Sequence, residues 1–312
     1  MERAKADYKD QAISIVKDTH LQPVTDIVAS DQQGYASTTY FVTFSDSSSI
    51  VLQFRPKCRL LLEDNFRIVR SRLRSLVPDV RFLKEIEGSI LVYELTRVPG
   101  CSFNQFLKTP DFIPLLPSVA AGVGRLLGMS YVPGSRAGDD KAWSGLFEHH
   151  LQAAVDSVDP LVAANRIHYA TLLSDLRAGA LDDLSLSISN DDISPTNLIV
   201  SLQGTVTGLV DWEDVCEWPI GYENKAIFWL MGTGWEEGYT RYDNANLIAE
   251  CFWTAFGSCL PDNVRIQSAA MQSAMKIGAA LSTSMGGTYN AGHLASLQYM
   301  LAYKIPPGFF DL

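Results

Sequence analysis

The sequence of 312 residues lacks paired cysteines, an excess of cations, long apolar runs and internal repeats, and each absence removes a class of function. Its five cysteines, Cys58, Cys101, Cys216, Cys251 and Cys259, are odd in number, widely spaced and without a C-x-x-C pair. That usage suits reduced thiols in a cytoplasmic protein rather than a disulfide scaffold. The five histidines, His20, His149, His150, His168 and His293, show neither H-E-x-x-H nor Cys/His ligand spacing, so no zinc site is expected. Lys and Arg total 25 against 35 Asp and Glu, a formal net charge of −10. Nucleic acid and anionic membrane surfaces select clustered positive charge, so neither is an expected partner. No window is apolar for long enough to cross a bilayer, and Met1 to Asp10 mixes both charge signs without the apolar core of a secretory signal. The absence of G-x-S-x-G leaves an α/β-hydrolase without a nucleophile. A small-molecule substrate is the expected partner, and nothing specifies an oligomeric state.

What is present is globular composition, 47% hydrophobic and 19% charged, at a length sufficient for two lobes. Thr38 to Ser45 and Ser49 to Arg55 are rich in β-branched and aromatic residues around the turn Asp46-Ser47-Ser48, which predicts a hairpin. In its second arm Ile50, Leu52 and Phe54 share one face, and Val51, Gln53 and Arg55 the other. Leu62, Phe66, Val69, Leu73 and Leu76 then recur at helical spacing before Pro78. Val80 to Lys84 and Ser89 to Leu95 read as two further strands about Glu87-Gly88, and Val98-Pro99-Gly100 breaks the pattern.

Beyond Pro117 helical periods dominate: Val119, Val123, Leu126 and Leu127; Leu161, Ala164, Ile167 and Leu172; and Leu247, Ile248, Cys251, Phe252 and Phe256. One strand pair interrupts them, Asn197 to Ser201 and Thr205 to Asp211, joined through Leu202-Gln203-Gly204. The expected architecture is α+β and bilobal, with residues 1–100 forming a small antiparallel-sheet lobe with one helix. Residues 101–312 would form a larger, mainly helical lobe.

The most informative stretch runs Ser189-Asn190-Asp191-Asp192-Ile193-Ser194-Pro195-Thr196-Asn197-Leu198-Ile199-Val200, followed by Gly208-Leu209-Val210-Asp211-Trp212-Glu213. Taken singly, Asp192 and Asn197 are turn residues around Pro195, and Asp211 ends a strand. Taken together they resemble the H-G-D-x-x-x-x-N loop and the I-D-W-E strand end of the aminoglycoside phosphotransferase and choline kinase superfamily, relatives of the protein kinases. Most of the chain takes part in the resemblance, down to Trp218-Pro219-Ile220-Gly221 after the motif. It implies a protein-kinase-like fold and transfer of phosphate from ATP to a hydroxyl of a small molecule. It also implies that Asp192 accepts the hydroxyl proton and that Asn197 and Asp211 bind Mg²⁺, the hairpin returning one toward the other. Ser30 to Thr38 sits where the family covers the nucleotide, although it has a single glycine. Val92-Tyr93-Glu94-Leu95 with Val98-Pro99-Gly100 matches the hinge, where main-chain groups near Glu94 and Thr96 would meet adenine; an ordinary buried strand and turn is the alternative.

The chain departs from the family at three places. Gln53 stands where the third strand supplies a Lys or Arg to the phosphates, and Arg55, one pleat further on, either takes over that role or is a strand-end residue. Asn190 replaces the loop His while keeping a donor and an acceptor. Asp191 replaces the loop Gly, and its carboxylate opposes phosphate unless it points away. For the acid of the first helix, Glu63 and Asp64 are adjacent candidates, and favourable charge at a helix N-terminus is their simpler role. These departures support a second possibility, a kinase-like fold that has lost phosphoryl transfer and binds a ligand or catalyses another reaction.

Three other signals have simpler structural readings. Gly122-Val123-Gly124 with Gly128 reads as close helix packing and His149-His150 as one exposed and one half-buried residue. The run Trp229, Trp235, Tyr239, Tyr242 and Trp253 reads as an aromatic core or, functionally, as the wall of an acceptor pocket.

Overall fold

A computed structural model of the protein describes residues 7–31, 33–34, 37–86, 88–139, 141–234, 238–282 and 291–306. Gln32, Tyr35 and Ala36 of the expected nucleotide-covering loop, Glu87 of the expected turn, and Trp235 of the aromatic run lie outside these residues. Contacts group the chain into two compact units, Met1–Gly100 with Thr207–Asp214, and Cys101–Val206 with Val215–Leu312.

The smaller unit is built on five antiparallel strands, β1 Val24–Ala29, β2 Thr38–Phe44, β3 Ser49–Pro56, β4 Val80–Ile86 and β5 Ile90–Thr96, in the order β1-β2-β3-β5-β4. The hairpin between β2 and β3 turns where its polar residues predict, with Ser47 in the left-handed region (φ 66°) and Ser48 donating to the Asp46 carboxylate. Alternation along β3 sends Leu52 and Phe54 into a core with Tyr40, Val42 and Val92, with Ile50 packed against it. A helix at Lys9–Thr19, which the strand patterns leave unread, closes that core with Ala12, Ile15 and Val16. These three recur at i, i+3 and i+4, while Asp10 and Lys17 sit at the ends where the helix dipole favours them. The helix Glu63–Leu73 buries Phe66, Val69 and Leu73, and its continuation over Arg74–Leu76 tightens to a 3₁₀ turn.

In the larger unit the helix Leu116–Met129 packs along Ala245–Gly257. Gly124 lets them approach, because a methyl there would strike the main-chain oxygen of Phe252, and a Cβ on Gly128 would stand 2.6 Å from that of Phe256. The spacing of Leu161, Ala164, Ile167 and Leu172 predicts a single helix, whereas the chain forms two, Pro160–Ala163 and Arg166–Arg177, divided at the buried Asn165. Ile167 is consequently 81% exposed, while Leu172 points inward. Short strands β6 Cys101–Ser102, β7 Leu186–Ser189, β8 Leu198–Val200 and β10 Cys216–Pro219 complete the frame of this unit, and β9 Val206–Leu209 leads the chain into the part of the smaller unit that begins at Thr207. β6 pairs with β8, and β7 with β10 from Cys216↔Ser189 to Pro219↔Leu186. Among the described residues no helix is long and apolar enough to cross a membrane.

Candidate active site

The larger unit holds the loop between β7 and β8. Ser189 ends a fully buried strand, and the buried Asn190 opens the loop by linking both ways to Asp192: its Nδ2 donates to the Asp192 carbonyl (3.4 Å) and its Oδ1 accepts from the Asp192 N–H (3.3 Å). Asn190 therefore uses both the donor and the acceptor expected of it. Asn197 is also buried, and its Nδ2 donates to the Asp192 carbonyl at 3.0 Å and to Asp192 Oδ2 at 2.8 Å. An exposed carboxylate is thus held by an internal amide whose nitrogen is spent on it. The side-chain oxygen of Asn197 takes no part in those bonds and suits a hard cation, which prefers oxygen ligands. Proline closes the loop, and the Pro195 carbonyl accepts from Asn104 N at 2.9 Å.

Asp191 does not oppose this arrangement. Its backbone is left-handed (φ 55°), a conformation glycine adopts without strain, which gives a physical reason for the family's Gly at that place. Its carboxylate turns to the β10 side and accepts from Trp218 Nε1 at 3.1 Å. The Asp191 N–H donates to Ser189 Oγ at 2.9 Å, and Ser189 Oγ in turn donates to the buried Glu223. Glu223 pairs with Lys225 at 2.9 Å, and the Lys225 ammonium lies 3.9 Å from the centre of the Tyr222 ring. Burial, and next the negative charge of Glu223, raise the Asp191 carboxyl above the ordinary range, against the opposing influence of Lys225. Burial opposes a charged Lys225, yet Glu223 overrides it and raises its pKa.

The smaller unit holds the rest of the expected residues. β9 ends at Leu209, so Asp211 follows the strand rather than closing it, and it is left-handed (φ 65°). Next to it Trp212 is buried, with Nε1 donating to the Leu209 carbonyl at 2.8 Å. Glu213 accepts from Arg55 Nη2 through one oxygen and from Arg59 Nη1 at 3.1 Å through the other. Arg55 is 2% exposed and also donates from Nε to the Arg59 carbonyl (2.7 Å) and from Nη1 to Gln53 Oε1 (3.1 Å). Glu63 accepts from Phe82 N at 2.7 Å beside the bulge of β4, and Asp64 pairs with Arg67, so each acid at the start of the helix Glu63–Leu73 has a partner. The Glu94 carboxylate accepts from His20 (2.8 Å) and Arg81 (2.9 Å), while Thr96 N–H donates to the Asp79 carbonyl at 3.0 Å.

No family model matches the sequence, and no curated protein matches it either. Solved structures do match in fold. The GDP complex of aminoglycoside 2'-phosphotransferase-IIIa superposes with a TM-score of 0.60 at 12% identity, covering 95% of this chain and 99% of that one. Macrolide 2'-phosphotransferase MphH from Brachybacterium faecium gives 0.54 at 13% identity, with 95% and 98% covered. The streptomycin and ATP ternary complex of APH(2")-IIa gives 0.51 at 12%, with 97% and 100% covered. The chain has the aminoglycoside phosphotransferase fold.

Glu223, Lys225 and the link that Ser189 makes to them belong to no motif, although the polar triplet Glu223-Asn224-Lys225 inside the mostly apolar run from Trp218 to Met231 is a signal. Among the described residues of the aromatic run, Trp253 is fully buried with Nε1 on Tyr303 Oη (2.9 Å), whereas Trp229, Tyr239 and Tyr242 are half-buried, Tyr239 tilted against Tyr299 (4.5 Å) and Trp229 against Phe103 (5.2 Å). His149 is exposed and His150 half-buried, as their neighbouring helical positions require. Among the described residues no three His, Cys, Asp or Glu side chains gather as a metal cage. Mg²⁺ does not ask for one, since it is held by one or two carboxylates plus phosphate and water.

Proposed function

We propose that this protein is an ATP-dependent phosphotransferase acting on a hydroxyl of a small molecule. The observation that carries the reading is the Asp192 carboxylate, exposed yet fixed by the buried Asn197 at 2.8 Å. A base so held has its orientation set before substrate arrives, which is where positioning gains in catalysis arise. The acceptor hydroxyl would give its proton to Asp192 as its oxygen bonds the γ-phosphorus, and the bond from that phosphorus to the leaving nucleoside diphosphate breaks. Asn197 and Asp211 would each offer an oxygen to Mg²⁺, which would neutralise charge on the phosphates. The nucleotide base would meet main chain just past Glu94 and Thr96, since Glu94 is paired on both sides within the sheet and the Thr96 N–H is held by Asp79. The nucleotides and antibiotics in the neighbours' complexes support this chemistry by analogy of fold.

The test is product mass with and without ATP across a panel of small hydroxyl compounds. Asp192→Asn should retain ATP binding, because no metal ligand is removed, and lower turnover by about two to four orders of magnitude. A second reading, a binding protein or non-kinase enzyme on this fold, is favoured by one observation: the cation of β3, Arg55, is engaged by Glu213. Conversion of a panel member without nucleotide would establish that reading instead.

A further inference from the structure

Arg55 ties its own stretch of chain, from Gln53 to Arg59, to a segment that the sequence keeps far away. Its Nε holds the carbonyl of Arg59 in the turn after β3, its Nη1 holds Gln53, and its Nη2 holds Glu213, 158 positions away. Glu213 is bridged a second time by Arg59, whose own charge is stabilised by the same carboxylate. One position before Glu213, Trp212 is anchored in the core, and one position before that Asp211 is left-handed. A non-glycine residue persists in that region when its surroundings over-determine it. Here a buried indole on one side and a carboxylate gripped by two guanidinium groups provide that constraint.

We propose that Arg55 is a positioning residue, acting through Glu213 to hold Asp211 in the backbone conformation of a metal ligand, and that it is not itself a phosphate ligand. The proposal rests on the phosphotransferase reading for the metal, but the clamp itself does not. The chemistry favours arginine, because three donors pointing in three directions satisfy Arg59, Gln53 and Glu213 at once, which an ammonium on a single stem does not reproduce. It also accounts for Gln53: with the guanidinium committed to Glu213, the neutral amide completes its donor set rather than facing phosphate.

Three measurements on the full chain test this in wild type, Glu213→Gln, Arg55→Lys and the exchanged pair Arg55→Glu/Glu213→Arg. Hydrogen exchange read on peptides spanning 207–214 should rise in Glu213→Gln and Arg55→Lys, with the helix Leu116–Met129 unaltered as control. Calorimetry should show the Mg²⁺ concentration for half-maximal nucleotide binding rising about tenfold or more. ATP affinity in EDTA should stay unchanged. Partial return of the Mg²⁺ requirement in the exchanged pair would support the clamp further, and Glu213→Gln keeps the test decisive if that pair fails to fold. Unaltered exchange at 207–214 overturns the proposal. A loss of ATP affinity in Arg55→Lys that is equal with Mg²⁺ and with EDTA makes Arg55 a phosphate ligand and overturns it too. A wild type that binds no nucleotide in either condition refutes the phosphotransferase reading, and exchange then still supports or overturns the clamp.

Discussion

Asp191 shows how one residue reverses meaning once its partners are known. As a letter beside Asp192 it is a second negative charge facing phosphate; in place it is turned to Trp218 and shares a buried region with Glu223. That neighbourhood has a pH consequence. Its pKa is raised on folding, so the folded state holds the proton more tightly than the unfolded chain, and stability falls as pH rises from about 4, the ordinary aspartate range, through the raised value. Asp191→Asn keeps an oxygen for Trp218 Nε1 and removes that penalty. Melting curves should show the variant more stable than wild type at pH 7 by a few degrees, with the gain vanishing below about pH 4. A variant less stable at pH 7 would mean that the charge is needed, through Lys225, rather than tolerated.

Among elements, what repeats with a short period was legible and what depends on distant partners was not. The strands β2, β3, β4 and β5 fall within a residue or two of their predicted spans because alternation and polar turns are local properties. The spacing of Val119, Val123, Leu126 and Leu127 led to the helix Leu116–Met129 for the same reason. Leu161 to Leu172 misled because Leu161 and Ile167 are apolar surface residues, 50% and 81% exposed, which mimic a buried stripe. The loop motif could be read, but not the direction of Asp191, since Trp218 arrives through the β7–β10 pairing; nor the occupation of Arg55, since its acid lies in another segment. Packing at this scale gives a further prediction. Gly124→Ala places a methyl against the Phe252 carbonyl, a backbone atom that cannot swing aside, so the two helices must separate. The expected loss is about 3 kcal/mol in urea unfolding, whereas Gly145→Ala, whose Cβ would meet nothing within 4 Å, should be neutral or stabilising.

On the scale of the whole molecule the question is how a chain of net charge −10 would bind a polyanion. Its general field disfavours the approach of a nucleotide, so binding must draw on local cations and on the metal that accompanies the phosphates. If Arg55 is committed to Glu213, the metal's share grows, and Asp211 becomes the residue through which most of the ligand's stabilisation passes. Ligand-linked stability measures that share, because a ligand at a hundred times its dissociation constant adds about 2.7 kcal/mol to unfolding. In wild type, millimolar ATP with Mg²⁺ should raise the melting temperature by several degrees, and ATP with EDTA by much less. In Asp211→Ala the two increments should become equal and small, while the ligand-free melting temperature falls only slightly, since an exposed residue outside any strand gives up little packing. An Mg²⁺-dependent increment that survives in Asp211→Ala would remove Asp211 from the metal site. No increment with either ligand form in wild type would instead favour the reading in which this fold serves another chemistry.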